Sequence, residues 1–163
     1  MDKKNVEARK DDVQPETVLV HHAPGTYPSD RIEAFLRMVH GEYANGRAFR
    51  YDPQTYAEKI GTLAEVIVAE SAGNIVGGLF GYCNDSETKT AYISYIGRTK
   101  NSEKGLGTRM HALFEDEARN MGMERIRLEV RKGNVHARDF YQRLGYVIYE
   151  ELENSLLLEK ILQ

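Results

Sequence analysis

The sequence has one cysteine, Cys83, no tryptophan and four prolines in 163 residues. One cysteine excludes an internal disulfide and any cysteine-cluster zinc or iron–sulfur centre. The longest apolar stretches, such as Ile75 through Cys83, fall far short of the roughly 18 residues that a membrane-spanning helix needs. The first residues are charged and no apolar stretch follows them, so no signal peptide is visible. Charge of one sign is also missing: 22 Lys and Arg against 25 Asp and Glu leave a net charge of -3. A nucleic-acid coat is usually strongly basic, so nucleic acid is not an expected partner. His21 and His22 are adjacent on an expected strand, point to opposite faces and make a poor metal pair. No metal and no membrane are expected, and the location expected is cytoplasmic.

What is present is an ordinary one-domain chain, 41% hydrophobic and 29% charged. Residues 1–16 carry nine charged side chains of mixed sign, which predicts a poorly ordered tail before a single domain over 17–163. Thr17–His22 reads as a strand. Ser29 or Asp30 can cap a helix whose buried face is Ile32, Phe35, Leu36, Val39 and Tyr43, with Gly41 and Gly46 ending it. Pro53 suits the first turn of a second helix, to about Leu63. Val66–Ala69, Ile75–Cys83 and Ala91–Gly97 then read as an antiparallel meander, with turns at Ser71–Asn74 and Asn84–Thr88. Leu106, Met110, Leu113, Phe114, Ala118 and Met121 form one helix face that Gly122 ends. Arg125–Arg131 alternates cleanly as a strand. Asn134 can cap a helix carrying Val135, Phe140, Tyr141 and Leu144, with Gly145 as its stop. Tyr146–Tyr149 and Ser155–Lys160 close the chain as strands. The order β-α-α-β-β-β-α-β-α-β-β predicts an α/β fold, a mixed, mostly antiparallel sheet flanked by helices.

The chemistry concentrates in Tyr92–Leu113. A strand ends near Gly97, and a loop leads to Gly105-Leu106-Gly107-Thr108 and straight into a helix. Glycines let a backbone approach a ligand closely, and a helix start offers free N–H groups with partial positive charge. That is a site for phosphate or pyrophosphate. Arg98, Lys100, Lys104 and Arg109 face only Glu103 within this loop, which suits a small anionic ligand on an acidic chain. A Walker loop is excluded because its Gly-Lys-Ser/Thr ending is absent. A Rossmann turn is disfavoured, since Met110 stands where the third glycine belongs and hairpins precede the loop.

Ser102-Glu103-Lys104-Gly105-Leu106-Gly107 resembles the acyl-CoA motif Arg/Gln-x-x-Gly-x-Gly/Ala of the GCN5-related N-acetyltransferase (GNAT) superfamily. Ser102 departs from its first position, and Glu103 replaces a usual glycine. Asn134 through Tyr146 resembles the family's second motif, Asn-x-x-Ala-x-x-Phe/Leu-Tyr-x-x-x-Gly-Phe/Tyr. The two motifs come in order, and the resemblance extends over residues 17–160. It implies acetyl transfer from acetyl-CoA to a primary amine, by direct attack in a ternary complex. It also implies site roles. Backbone groups of Tyr95, Ile96, Gly97 and Arg98 would meet the acyl carbonyl and pantetheine. Lys104, Gly105, Leu106, Gly107, Thr108 and Arg109 would hold the pyrophosphate. Asn134 would contact the pantetheine arm, and Tyr141, a phenol of ordinary acidity, would protonate the leaving thiolate. Capping alone would also explain Asn134, and core packing would also explain Tyr141.

An alkylamine must lose a proton to attack, and the base is weakly marked. Glu129 is the candidate taken, beside Tyr92, beside Ser94 acting only through water, and beside a chain of waters in place of a side-chain base. His111 reads as a surface pair with Glu115 at i+4. His136 and Asp139 read as solvated, and Cys83 has no activating neighbour. Arg138 can reach CoA or stay in solvent. Arg47, Arg50 and Tyr51 lie where similar proteins cover the acceptor, and two arginines among aromatics can grip a carboxylate or phosphate. That suggests a small, anionic or sugar-like amine. Alternatives are an O-acetyltransferase, a longer acyl donor, or a non-catalytic acyl-CoA-binding sensor or assembly module. The closing strands also offer a contact for a homodimer.

Overall fold

The computed structural model describes residues 15–163; the tail expected over 1–16 lies almost wholly outside them. The described elements run β1 (Thr17–His22), α1 (Ser29–Tyr43), α2 (Pro53–Leu63), β2 (Glu65–Ser71), β3 (Asn74–Asp85) and β4 (Thr90–Arg98). They continue with α3 (Leu106–Asn120), β5 (Arg125–Arg131), α4 (Val135–Arg143), β6 (Val147–Glu151) and β7 (Ser155–Ile161). This is the order the sequence predicts. The strands form one seven-stranded sheet, β1-β2-β3-β4-β5-β7-β6. Only β4 and β5 pair in parallel; every other neighbouring pair is antiparallel.

The two faces of the sheet carry separate cores. On one, α1 and α2 bury Ile32, Phe35 and Ile60 against Val66, Val68 and Phe80. On the other, α3 buries Leu106, Met110 and Phe114 against Ile67, Leu79, Ala91 and Ile126. The period-2 alternation of β5 sends Ile126, Leu128 and Val130 into this second core and Arg127, Glu129 and Arg131 to the opposite face. Glycines on β3 let α3 sit close: a Cβ at Gly77 would lie 2.9 Å from Leu106, and one at Gly81 only 2.5 Å from the Phe114 ring. The β2–β3 hairpin turns through Ala72 (φ 50°) and Gly73 (φ 79°), the two positive φ angles of a type I′ turn.

Several local expectations change. Neither Ser29 nor Asp30 caps α1: its N-cap is Pro28, which supplies no side-chain acceptor. The helix passes through Gly41 to Tyr43, and Tyr43 is exposed. Strand β3 runs on to Asp85, so the following turn spans 86–89, where Asp85 accepts from the Thr88 amide and hydroxyl. Val135 and Met121 are exposed rather than packed. Pro53 opens α2 as expected, with Asp52 capping it through the Thr55 N–H at 2.9 Å.

Candidate active site

The parallel ladder between β4 and β5 is short. It runs Thr90↔Arg125, Ala91↔Ile126, Tyr92↔Arg127, and then stops. Beyond Tyr92 the two strands separate, and the β5-facing backbone of residues 93–98 has no ladder partner there. Unpaired amides and carbonyls of this kind need hydrogen-bond partners, which water or an extended amide-bearing ligand can supply. The β3–β4 register shifts between Phe80↔Tyr95 and Gly81↔Ile93, so Ser94 is the extra residue of a bulge. The bulge puts Ser94 and Tyr95 on one face. Ser94 meets the Tyr56 hydroxyl of α2 at 2.6 Å, and the Tyr95 ring packs on Phe80 and Phe35. Ile96 returns to the α3 side. Gly97 is required here, because a Cβ would lie 2.2 Å from the Tyr95 hydroxyl. Tyr95 therefore offers the cleft its main chain, not its ring.

The loop after β4 delivers the chain to α3 through Gly105, whose φ of 81° is left-handed and whose position holds the N-cap with no side-chain acceptor. The first N–H groups of α3 are thus uncapped by any side chain. Leu106 is fully buried and contributes only its main chain, whereas Thr108 and Arg109 are exposed. Gly107 fits against Phe140 of α4, with a Cβ there 3.3 Å from the ring. Ser102 binds the loop to itself: its hydroxyl donates to the Thr99 carbonyl at 2.7 Å and receives Arg98 at 3.1 Å. Glu103 pairs with Arg109. The basic patch is less free than expected, because α1 also contributes Glu42, which accepts from the Lys100 amide at 2.8 Å.

Asn134 caps α4, its side-chain carbonyl accepting from the Ala137 N–H at 3.1 Å. Tyr141 lies between two rings, 5.1 Å from Phe140 and 5.3 Å from Tyr146. It is 5% exposed, and burial pushes its hydroxyl well above the ordinary 10. The phenol of ordinary acidity expected from the sequence is thus corrected: this group is a firmly held proton.

The opposite face of β4, β5 and β7 forms a floor that α1 and α2 leave uncovered. Tyr92, Arg127, Glu129 and Glu159 line it, bordered by Tyr56 and Tyr51 with ring centroids 5.9 Å apart. Arg127 is occupied by Glu159 at 2.7 Å and by the Tyr149 ring at 4.4 Å. Glu129 is exposed and accepts only a neutral partner, the Ser155 hydroxyl at 2.6 Å. Burial pushes the Tyr56 hydroxyl up to about 12 and raises Tyr92 as well, with the Glu129 charge adding to Tyr92. Arg50 stacks over Tyr51 at 5.3 Å and is near enough to act on Tyr92. Arg47 instead turns back to the end of α1, donating to the Ala44 carbonyl.

Sequence reasoning missed one pair outright. His111 is 1% exposed, not a surface residue, and its Nε2 lies 2.7 Å from the Tyr146 hydroxyl. The row Gly107, His111, Phe114, Ala118 has helical spacing and is the signal that would have placed it inside. Burial brings its pKa down to about 4, Lys160 adding and the nearby Glu115 opposing. Cys83 is part-buried, and burial pushes its thiol up to about 12, so it is no nucleophile.

The family described as "Acetyltransferase (GNAT) family" matches residues 32–146, well over half of the chain. The chain belongs to the GNAT family. Solved structures share its fold: Ard1 from Thermoplasma volcanium aligns at TM-score 0.68 and 20% identity, covering 90% of this chain and 98% of that one. An aminoglycoside 6'-acetyltransferase type Ii aligns at 0.71 and 17%, covering 90% and 97%. The paia N-acetyltransferase of Thermoplasma acidophilum, in complex with coenzyme A, aligns at 0.67 and 13%, covering 88% and 99%. No curated protein matches the sequence. As a GNAT protein the chain is an acetyltransferase that uses acetyl-CoA, and the mixed sheet with its flanking helices is the GNAT fold. Among the described residues no helix is long and apolar enough to cross a membrane.

Proposed function

We propose that this GNAT domain, residues 17–163, moves the acetyl group of acetyl-CoA to a primary amine of a small, anionic or sugar-like acceptor, by direct attack in a ternary complex. The observation that carries the reading is the opening between β4 and β5 beyond Tyr92 and Arg127, with the uncapped start of α3 on its flank. The pantetheine arm fits the unpaired main chain of Tyr95, Ile96, Gly97 and Arg98, and its pyrophosphate meets the N–H groups from Gly105 to Arg109 with Lys104 beside them. Asn134 spends its carbonyl on its cap, so its amide nitrogen is the part left for the arm.

The acceptor enters over the tyrosine-lined floor. Glu129 takes the ammonium proton, and the amine nitrogen then attacks the thioester carbon. A main-chain N–H of the β4 bulge stabilises the oxyanion. The C–S bond breaks, and Tyr141 hydrogen-bonds to the departing sulfur and relays to it the second proton that the nitrogen sheds as the amide forms, which leaves the phenol intact. With its hydroxyl raised by burial, Tyr141 holds its own proton until charge develops on sulfur. Arg50, over Tyr51, binds the acceptor's anionic or hydroxyl-rich part, while Arg47, turned away, is expected to matter less. A sugar-like amine is in keeping with the structural neighbour named for aminoglycosides.

The test is thiol release from acetyl-CoA with a panel of amino sugars, sugar-phosphate amines, amino acids and polyamines. Tyr141→Phe should lower kcat by about 100-fold or more with acetyl-CoA affinity kept. Arg50→Ala should raise acceptor KM with little change in kcat. A protein that binds acetyl-CoA but turns over no amine would be a binding module. An unchanged KM in Arg50→Ala would remove the anionic-acceptor part of the reading.

A further inference from the structure

One row of α3 meets α4 and the chain just beyond it. Gly107 and His111 are a turn apart, and each receives one ring: Phe140 against Gly107, Tyr146 against His111. Tyr141 lies between those rings, edge-on to both at interplanar angles of 67° and 73°. Tyr146 also holds Tyr141 through the backbone, its N–H donating to the Tyr141 carbonyl at 3.0 Å. Tyr146 is in turn held by His111. The Glu115 carboxylate lies 3.3 Å from His111 Nδ1 and is itself paired with Lys160 and Arg119. A carboxylate beside Nδ1 keeps the proton there, so Nε2 accepts and the Tyr146 hydroxyl donates. A buried imidazole and phenol cost more to desolvate than two apolar side chains of similar size, and they constrain geometry in return.

We infer that the His111–Tyr146 hydrogen bond is a strut that sets the position of Tyr141 against the anion-binding end of α3. Both residues are positioning residues. The inference rests on the reading of Tyr141 as proton donor to the sulfur. It follows from where the two ligands of that reaction are fixed. The main chain of β4, on which α3 packs, holds the pantetheine arm and so places the sulfur, while α4 carries the phenol that must reach it. A misplacement of about 1 Å between such groups is enough to cost up to 100-fold in rate. The strut ties α3, one turn below the phosphate site, to the residue that follows the end of α4 and holds Tyr141, and so controls that distance.

The experiment uses CoA itself and needs no acceptor. A phenol hydrogen-bonded to a thiolate lowers the thiol pKa, which the ultraviolet absorbance of the thiolate reads in the bound state. Tyr141→Phe should raise the pKa of bound CoA. Tyr146→Phe should raise it in the same direction but by less, and should add nothing in the Tyr141→Phe background. His111→Gln, which keeps an acceptor, should stay near wild type. His111→Asn, too short to reach the hydroxyl, should match Tyr146→Phe and replaces it if that variant does not fold. CoA affinity should change less than about twofold throughout, which a general loss of packing would not allow. If Tyr141→Phe moves the thiol pKa and neither Tyr146→Phe nor His111→Asn does, the strut is wrong and the donor reading stands. An unshifted pKa in Tyr141→Phe removes the donor reading and the strut with it.

Discussion

Arg98 and Arg109 look like phosphate-binding cations in the sequence, yet each has a partner within its own loop, Ser102 and Glu103. The two departures from the family motif are thus the two residues that occupy the arginines. In the proposed site, anion binding at this loop falls mainly to the main chain of Gly105–Arg109, with the exposed side chain of Lys104 beside it. His111 shows the opposite case, a titratable side chain taken out of solvent. Its pKa of about 4 in the folded protein lies below the ordinary 6.5. The unfolded chain therefore binds this proton first as pH falls. The stability that depends on a neutral His111 is complete above about pH 6.5 and drains away towards pH 4, by up to about 3 kcal/mol. Glu115 and Lys160 are the charged groups beside it. His111→Gln should flatten the dependence of unfolding free energy on pH across that window. An unaltered slope would mean that His111 is protonated in the folded protein or exposed.

The packing of whole elements rests on small residues at crossing points. Helix α3 crosses β3 over Gly77 and Gly81, and the latter leaves no room for a methyl group beside Phe114. Gly81→Ala should destabilise the fold by about 1–3 kcal/mol, lowering Tm by roughly 3–10 °C in thermal unfolding; no change would show that α3 can ride higher on the sheet. Elements with strong local signals were legible. The alternation of Arg125–Arg131, the proline at the start of α2 and the apolar row of α3 each determine one element without reference to the rest of the chain. The cap of α1 was not legible, because Ser29 and Asp30 already lie inside the helix. Nor was the bulge at Ser94: it is a mismatch between two strands, and the local alternation of β4 alone does not contain it.

At the scale of the molecule, the proposed function depends on where the sheet comes apart. The insertion of β7 between β5 and β6 and the opening between β4 and β5 are long-range pairings, so periodicity along the chain says nothing about them. The family motifs marked the Gly105–Thr108 loop and Tyr141 as candidates. They did not show that Tyr56, Tyr92, Glu129 and Ser155 gather on the open face of the same strands. The central claim is that this opening holds acetyl-CoA. Thermal unfolding with acetyl-CoA, and with NAD and ATP as controls, tests it most directly. At about 100 times its Kd a single ligand adds about 2.7 kcal/mol, which is roughly 5–10 °C for a domain of this size. Acetyl-CoA should give such a rise, and the controls no comparable one. No rise with acetyl-CoA, or a rise with NAD or ATP alone, would contradict it.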